Sequence, residues 1–587
     1  MHFFKHCLPA GLALAFALAA TATTAATTTA TTAAAPVLLV TSPAALQAAE
    51  KSGAGFARWF GETPGADGIA TNQALMRSPA WRAVTEPIGA SLAGIQRRDK
   101  QAGVGIAKYP HRLFDARWLA SPDAYFELVG VANRMDRRPF QEKDGACGET
   151  RLVYRLAYRT PAMQSRLPMT VNVELRGDAP DANGSCAEAA KRWQPPQASM
   201  SDEATGRWLV STDGPLAPQR LAPARISQVT TNLQSVRWPS AVRPDLGGHA
   251  EYMLRAFRWN ASAKSFDVGP LENTPDFAKL KADAPLRKEL QQWLQQPANL
   301  RALDEATLQI PEKFLATESI SVAPRGLERL ANQPFAQVFA PGEWKAVENS
   351  RTLASPQAVL RRLDDLSCAG CHQSRAVAGF HLLGVDRRGA SRTFTTGNAL
   401  AVPHSPHVQD ELARRAIYVR AALSTPRPDP FRPLAEPGEP DEPNAAPGKA
   451  TVGARCEPTR ITPSANPWLD RAQKRPRIAC EGAASVCETT SVGFPGGMCS
   501  GPCDPADKNG TCGGIAILSD FNSCLAAKKP FGECLARHTR PGNLRSCSAG
   551  QACRDDYICA QADGQPEGHG ACIPPYFLFQ MRVDGHS

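Results

Sequence analysis

The cysteines are distributed unevenly along this chain, and their distribution limits the folds it can adopt. Twelve of the 17 cysteines lie within residues 456–587, at irregular spacings and among many Gly, Pro, Asn and Asp residues. Small exported segments of this composition replace a large core with disulfides. The paired C-x-x-C knuckles of a zinc ribbon do not occur there. We therefore predict a disulfide-rich, irregular module over residues 456–587, and its connectivity stays open.

The N-terminus has the features of a secretory signal peptide. Lys5 precedes an apolar run from Leu8 to about Ala20, and an A-x-A-type cleavage site follows near residue 22. The run is too short to span a membrane, and no other stretch reaches about 20 apolar residues. Without Cys7 the chain keeps 16 cysteines, an even number typical of disulfide-bonded exported proteins. The sequence predicts a bacterial periplasmic, extracellular or cell-surface protein with no transmembrane span.

Cys368-Ala369-Gly370-Cys371-His372 is the most specific motif in the chain. The C-x-x-C-H pattern attaches c-type haem: both thiols form thioethers with the porphyrin, and the histidine ligates the iron. Chance alone would give about 0.01 copies in a chain of this composition. The alternatives are a disulfide and half of a zinc site that includes His372. Motif and predicted export together favour one covalent haem c, bound by Cys368, Cys371 and His372.

The second axial ligand of this iron is predicted to be a histidine. No methionine lies between the motif and Met498, whereas three histidines follow the motif within 35 residues: His381, His404 and His407. We rank His407 first, then His404, then His381, because the first two lie in a Pro-rich turn that enters a predicted helix. A remote methionine such as Met253 and an open, five-coordinate iron are the alternatives. Two imidazoles predict a lower reduction potential than a His/Met pair.

Five arginines close to the motif in sequence are candidates to pair with haem propionates: Arg361, Arg362, Arg375, Arg387 and Arg388. Guanidinium groups match the geometry of carboxylates, and we expect one or two of the five to make this contact. A solvated helix surface is the alternative for each of them.

The region before the motif divides into a strand-rich part and a helical part. Alternating or continuous apolar residues predict strands at 124–132, 151–158 and 168–176, and a hairpin that joins 250–258 to 264–270. The alternation of arginine with aromatic residues on such strands favours a half-solvated sheet face over a binding surface.

Helices and one disulfide are also predicted. Helical spacing runs over 276–296 with a break at Pro285, over 355–366 and over 407–423. Cys147 and Cys186 flank two of the predicted strands. A disulfide between them closes a loop of about 40 residues and contributes roughly 3–4 kcal/mol.

These elements predict a multidomain α+β fold with a strand-rich N-terminal region, an all-α cytochrome c-like haem domain and a disulfide-rich C-terminal module. The expected divisions are a signal peptide (1–22), an Ala/Thr-rich spacer (23–36), a mixed strand-rich domain (37–275), a helical haem c domain (276–424), a Pro-rich linker (425–455) and a Cys-rich module (456–587).

The motif resembles the c-type cytochromes, over roughly 150 residues. More loosely, the chain resembles large exported bacterial proteins of uncharacterised function in three stretches: 131–156 (VANRMDRRPF…CGETRLVYRL), 368–384 (CAGCHQSRAVAGFHLLG) and 405–415 (SPHVQDELARR). The first resemblance implies covalent haem and electron transfer with a redox partner protein that the sequence does not identify.

Two other functions stay open at this point. One is a haem enzyme of the peroxidase or oxygenase kind, with a substrate site in the strand-rich region. The other is a surface binding or scaffold protein with accessory haem, associated with the cell envelope through the Cys-rich tail. The net charge of +10 is mild for 587 residues and contains no Lys/Arg block, so no nucleic-acid partner is expected.

Overall fold

The structure is a computed structural model that describes most of the chain up to residue 432 and short strands beyond it. The described residues are 34–65, 67–102, 114–141, 145–159, 164–236, 250–322, 333–370, 382, 407–432, 459–461, 472–474, 486–488, 498–500, 546–548, 558–560 and 569–573. The predicted signal peptide and most of the spacer, linker and Cys-rich module lie outside them.

Eight strands form one antiparallel sheet. They are β1 (Leu39–Val40), β2 (Ala124–Arg134), β3 (Glu149–Arg159), β4 (Gln164–Arg176), β5 (Ile226–Val236), β6 (Ala250–Asn260), β7 (Ser265–Gly269) and β8 (Glu318–Val322). Strands β1 to β7 are neighbours in chain order, as in a meander. β7 pairs with the second half of β6, and β8 pairs with the first half. The predicted hairpin of 250–258 and 264–270 corresponds to β6 and β7.

Twelve α-helices are present among the described residues. They are α1 (Pro43–Ala49), α2 (Asn72–Leu75), α3 (Pro79–Ala102), α4 (Arg138–Gln141), α5 (Ala187–Lys191), α6 (Asp202–Leu209), α7 (Phe277–Ala282), α8 (Ala284–Leu294), α9 (Pro297–Asp304), α10 (Pro334–Val338), α11 (Pro356–Asp365) and α12 (His407–Ala422). The break predicted at Pro285 separates α7 from α8, where Asp283 caps α8.

One face of the sheet is apolar and carries the main core. Val171, Val173 and Leu175 of β4 point to this face, which helices such as α1 and α3 cover. Aromatic rings fill the space between sheet and helices. The indole of Trp59 donates a hydrogen bond to the Tyr154 hydroxyl at 2.8 Å. This layer explains the strict alternation of the strands, because every second side chain enters one continuous core.

The other face of the sheet is polar, and it is also buried. Thr170, Asn172 and Glu174 alternate with the core residues of β4, and Glu174 is only 2% exposed. On β3, Arg155 is 3% exposed and pairs with Glu127 of β2. The predicted half-solvated face is therefore wrong for these strands: alternation separates the two faces but does not tell what covers the second one.

A second core lies among the helices before the motif. Leucines and aromatic residues of α7 to α11 form it, including Leu290, Phe335 and Leu363. The range 276–424 is nevertheless not purely helical, since its strand β8 pairs with β6. In addition, Tyr418 and Val419 of α12 belong to the main core. The described residues thus show an α+β architecture in which the later helices join the sheet.

Cysteine positions bear on two further predictions. Cys147 and Cys186 form the predicted disulfide, with Cα atoms 5.6 Å apart and a sequence separation of 39.

Beyond residue 458, the described strands pair as β9 (Thr459–Ile461) with β10 (Ala472–Lys474), β11 (Val486–Glu488) with β12 (Met498–Ser500), and β13 (Ser546–Ser548) and β14 (Ile558–Ala560) with β15 (His569–Ile573). The backbone register pairs residue 487 with 499 and 559 with 572.

Candidate functional site

The first half of the motif forms a tight turn directly after α11. Ser355 caps the start of this helix by accepting a hydrogen bond from the amide of Ala358. At its end, the Ser367 hydroxyl donates to the carbonyl of Asp364 at 2.7 Å, and the Gly370 amide donates to Ser367 Oγ at 2.9 Å. The predicted helix that leads into the motif is confirmed.

Cys368 lies where this turn meets the polar face of the sheet. Its amide donates a hydrogen bond to the carbonyl of Glu272 at 3.2 Å. Its side chain packs against the small apolar cluster of Leu254, Ala256 and Leu271. The thiol that the motif assigns to a thioether is therefore partly buried, beside residues that come from β6 and the segment after β7.

Cys371, His372, His381 and His404 lie outside the described residues. Leu382, which follows His381, packs on Val129 and Val153 of the sheet. His407 is the first residue of α12. Positions 407, 411, 414 and 415 follow the helical spacing of one face, and the last three line the same cavity as Cys368. The identity of the distal ligand stays a prediction.

A cavity of about 1140 Å³, which includes the open space at its mouth, lies between the polar face of the sheet and the helices. Cys368 lines it together with polar residues of β4 and β5: Asn172, Glu174, Gln228, Thr230 and Asn232. Glu174 accepts hydrogen bonds from Gln228 and Thr230 at 3.1 and 3.0 Å. The buried polar face of the sheet is thus the floor of this cavity.

A cluster of charges lies along one side of the cavity, where the turn after β2 meets α12. Asp136 pairs with Arg134 at 3.0 Å and with Arg414 at 2.6 Å, and Arg415 lies 4.0 Å away. Glu411 contacts Arg414 and Arg415 at 2.9 and 3.3 Å. Burial alone would raise the pKa of Asp136, but the three arginines hold that pKa well below its usual range. Asp136 is therefore ionised at neutral pH.

The start of the predicted linker takes part in this cluster. Arg432 lies 3.0 Å from Glu411. Burial would raise the pKa of Glu411, but Arg432, Arg415 and Arg414 together lower it. Burial, with Arg134 close by, lowers the pKa of Arg415 to about 9. Arg432 therefore belongs to this charge cluster through its contact with Glu411, although it lies in the predicted linker.

A second charge cluster connects the floor to the segment that holds Cys368. Arg151 contacts Glu149 at 2.6 Å and Glu174 at 3.3 Å. Arg137 lies 3.6 Å from Glu149 and 3.0 Å from Glu272, whose carbonyl binds Cys368. Burial raises the pKa of Glu174, whereas for Glu149 the nearby arginines outweigh burial and lower the pKa. The two carboxylates that contact Arg151 therefore differ in pKa: that of Glu174 is raised and that of Glu149 is lowered.

The arginines at the cavity are not those nearest the motif in sequence. Arg362 is fully buried and donates to the carbonyls of Leu303 and Asp304 at 3.0 and 2.9 Å, so it holds α9 and α11 together. Arg375, Arg387 and Arg388 lie outside the described residues, and Arg361 is not part of the cavity wall that the structure describes. The lining arginines come from distant segments: Arg134, Arg137, Arg151, Arg255, Arg414, Arg415 and Arg432.

The three stretches that carry the looser resemblance meet at this cavity. Residues 131–156 supply Arg134, Arg137 and Arg151, the motif supplies Cys368, and 405–415 supplies Glu411 with two arginines. The sequence signal for this site was charged residues in otherwise apolar elements. Its interpretation required the fold, because the stretches lie hundreds of residues apart.

The residues at the cavity fit a haem attached through Cys368. Leu254, Leu271 and Leu366 provide apolar contacts near the thiol, and the arginines provide donors for carboxylates. Within the described residues, no group of three or more His, Cys, Asp or Glu side chains is arranged to hold a metal ion by itself.

Two general comparisons complete this description. Among the helices of the described residues, none combines the length and the apolar character that crossing a bilayer requires. Comparisons of the chain with protein-family models, with curated proteins and with solved structures find no match. The motif and the cavity that Cys368 lines are therefore the features that indicate a function.

Proposed function

We propose that this protein is an exported mono-haem c-type cytochrome that transfers electrons through one covalently bound haem. Cys368 and Cys371 would form the thioethers, and His372 would be the proximal ligand. The observation that carries the proposal is the position of Cys368, on the wall of a cavity that three separate segments build. When bound there, the haem would supply the one-electron couple of its iron.

The residues of the chain would position the group and hold its charge. Leu254 and Leu271, which already pack against Cys368, would contact the porphyrin edge beside the thioether. The close approach of Gly370 to the end of α11 supports a fixed geometry for the attachment turn. The buried ion pairs around Asp136 join this region to α12, so that the helix and the motif form one site.

Histidine is the proposed distal ligand, and His407 is the first candidate. Position 407 lies one helical turn before Glu411, on the face of α12 that reaches the cavity. His404 and His381 are the next candidates. Imidazole on both sides of the iron would make this a low-potential centre.

We also propose a periplasmic, extracellular or cell-surface location for the mature protein. The predicted signal peptide supports this, and so does the disulfide between Cys147 and Cys186, which an oxidising compartment maintains. The Cys-rich tail would be a disulfide-linked module that associates with the cell envelope or with a redox partner protein.

Low-temperature EPR of the ferric protein tests the ligation directly. We expect a low-spin spectrum of the bis-imidazole kind, and we expect His407→Ala to convert it to a high-spin or mixed spectrum. His381→Ala and His404→Ala are matched controls, since each removes one imidazole from the same segment. A His/Met spectrum in the native protein, or a ferric spectrum unchanged in all three variants, would contradict bis-His ligation.

A haem enzyme with an open iron is the second candidate. The polar floor of the cavity favours it, because Asn172, Glu174 and Asn232 are buried hydrogen-bonding groups of the kind that orient a polar substrate. Cyanide and CO binding separate the two functions. Spectra that change at once with these ligands favour the enzyme, whereas unchanged spectra favour the electron carrier.

A further inference from the structure

In three ion pairs at the cavity, the arginine side chain is more exposed than its carboxylate partner. The side chains of Arg414 and Arg151 are 18% and 16% exposed, whereas their partners Asp136 and Glu149 are 3% and 2% exposed. The Arg432 side chain is 20% exposed and its partner Glu411 is 11% exposed. In each of the three pairs the arginine is therefore the more accessible partner.

The cavity is lined by seven arginines and by five carboxylates, so the arginines are in excess although they are paired. The five carboxylates are Asp136, Glu174, Glu272, Asp365 and Glu411. The carboxylate partners hold each of these guanidinium groups in place. Pre-oriented guanidiniums in a partly desolvated site bind carboxylates with charge-assisted hydrogen bonds. Glu272, 31% exposed beside Arg137, is the most exposed of these five carboxylates.

The floor next to these arginines adds neutral hydrogen-bonding groups. Thr230 accepts a hydrogen bond from the Asn172 amide at 3.1 Å, and its own hydroxyl donates to Glu174. Asn232 follows on the same face of β5, and its Nδ2 has no hydrogen-bond partner among the described residues. A buried amide donor without a partner is costly, and an oxygen-rich ligand would satisfy it.

We infer that the arginine surface of this cavity, formed by Arg151, Arg414 and Arg432, binds the carboxylate groups of an organic acid. Two sources have this chemistry. One is a free small carboxylic acid that enters the cavity, and the other is the propionate side chains of the haem in the proposed function. Binding of a free carboxylic acid depends on the cavity wall alone. Binding of haem propionates depends also on the proposed function.

The experiment uses the full chain as isolated, with succinate as the probe. Isothermal titration with succinate is compared for the wild type, Arg151→Gln and Arg432→Gln, and thermal unfolding checks that each variant is folded. In Arg432→Gln, Glu411 keeps Arg414 and Arg415. In Arg151→Gln, Glu149 keeps Arg137, and Glu174 keeps the hydrogen bonds from Gln228 and Thr230. Arg77→Gln is the matched control, because Arg77 pairs with Glu62 away from the cavity and is 70% exposed.

If a free acid is the ligand, we expect succinate to bind the wild type and the control, and to bind each cavity variant at least about tenfold more weakly. If propionates are the ligand, we expect no succinate binding. The reduction potential should then fall in both cavity variants and not in the control, since an uncompensated propionate favours ferric iron.

Absence of succinate binding together with an unchanged potential in both cavity variants would overturn the inference. Equal loss of binding in the Arg77→Gln control would overturn it as well. If the isolated protein holds no covalent haem, the proposed function fails on that ground, and the succinate titration alone decides the inference.

Discussion

Gly370 lies against the carbonyl oxygen of Asp364, and a β-carbon at residue 370 would stand 1.9 Å from that oxygen. The turn of the motif therefore requires glycine at its third position. We predict that Gly370→Ala lowers the stability by about 1–3 kcal/mol, because the backbone of the turn must move. Urea unfolding measures this. Gly342→Ala is the control, since a β-carbon there meets nothing within 4 Å. Equal stability of the two variants would contradict the packing of the turn.

The ion pairs of Asp136 and Glu411 predict a loss of stability in acid. Both carboxyls have a lowered pKa in the folded protein, since their arginines outweigh burial. Their contribution is therefore complete above the ordinary carboxyl pKa of about 4 and is lost as the pH falls below it toward the folded pKa values. Unfolding midpoints in urea between pH 7 and pH 3 measure this dependence.

Asp136→Asn removes one of these carboxylates without changing the shape of the side chain. We expect the variant to lose about 3–5 kcal/mol at pH 7, because Arg134, Arg414 and Arg415 are left around an uncharged group. We also expect a weaker dependence of its stability on acid pH. Asp213→Asn, at an exposed turn, is the control. An unchanged acid dependence in Asp136→Asn would show that this carboxylate is not the origin of the effect.

Asp364 predicts the opposite dependence on pH. Burial raises the pKa of this carboxyl well above its usual value, although the amides of Phe335 and Ala336 oppose the shift. A raised pKa means that ionisation destabilises the fold, so this contribution falls as the pH rises above about 4. Asp364→Asn keeps an oxygen acceptor for the Phe335 amide, 2.7 Å away. We expect the variant to be at least as stable as the wild type at pH 7, and a large loss of stability there would contradict this account.

The disulfide between Cys147 and Cys186 predicts how much stability is lost when it is removed. Its removal by the double variant Cys147→Ser/Cys186→Ser frees a loop of 39 residues and costs roughly 3–4 kcal/mol. Thermal or urea unfolding measures the loss. Because Cys368 and Cys371 are not touched, haem content per folded molecule should stay the same. A fall in haem content would mean that the disulfide also supports the attachment of haem.

Local patterns predicted the elements of this fold better than their assembly. The alternation of Val171, Val173 and Leu175 identified β4, and Ser355-Pro356 identified the start of α11. These signals are local, because the spacing of apolar residues and the capping of a helix depend on residues that are close in sequence. Strand β8 has only five residues and lies in a range where helical spacing dominates, so local patterns did not predict it. Its pairing with β6 makes it a strand.

The cavity was beyond the reach of such patterns. The sequence predicts a half-solvated sheet face, but helices and charged side chains cover the face that carries Thr170, Asn172 and Glu174. The charge clusters pair residues more than 250 positions apart, such as Arg414 with Asp136. The motif pointed to Cys368, which lines the cavity. The pairing of nearby arginines with haem propionates stays a prediction, and the arginines that line the cavity come from distant segments.

The most direct test of the account is whether haem remains bound to the unfolded chain. The mature protein is denatured, extracted with acidified acetone, and examined by intact mass and by its reduced absorption spectrum in alkaline pyridine. We predict that the mass exceeds that of the polypeptide by one haem and that the spectrum is that of a haem with two thioethers. The double variant Cys368→Ala/Cys371→Ala should lose both signals. A wild-type chain that carries no covalent haem, or a double variant that keeps it, would contradict the central claim.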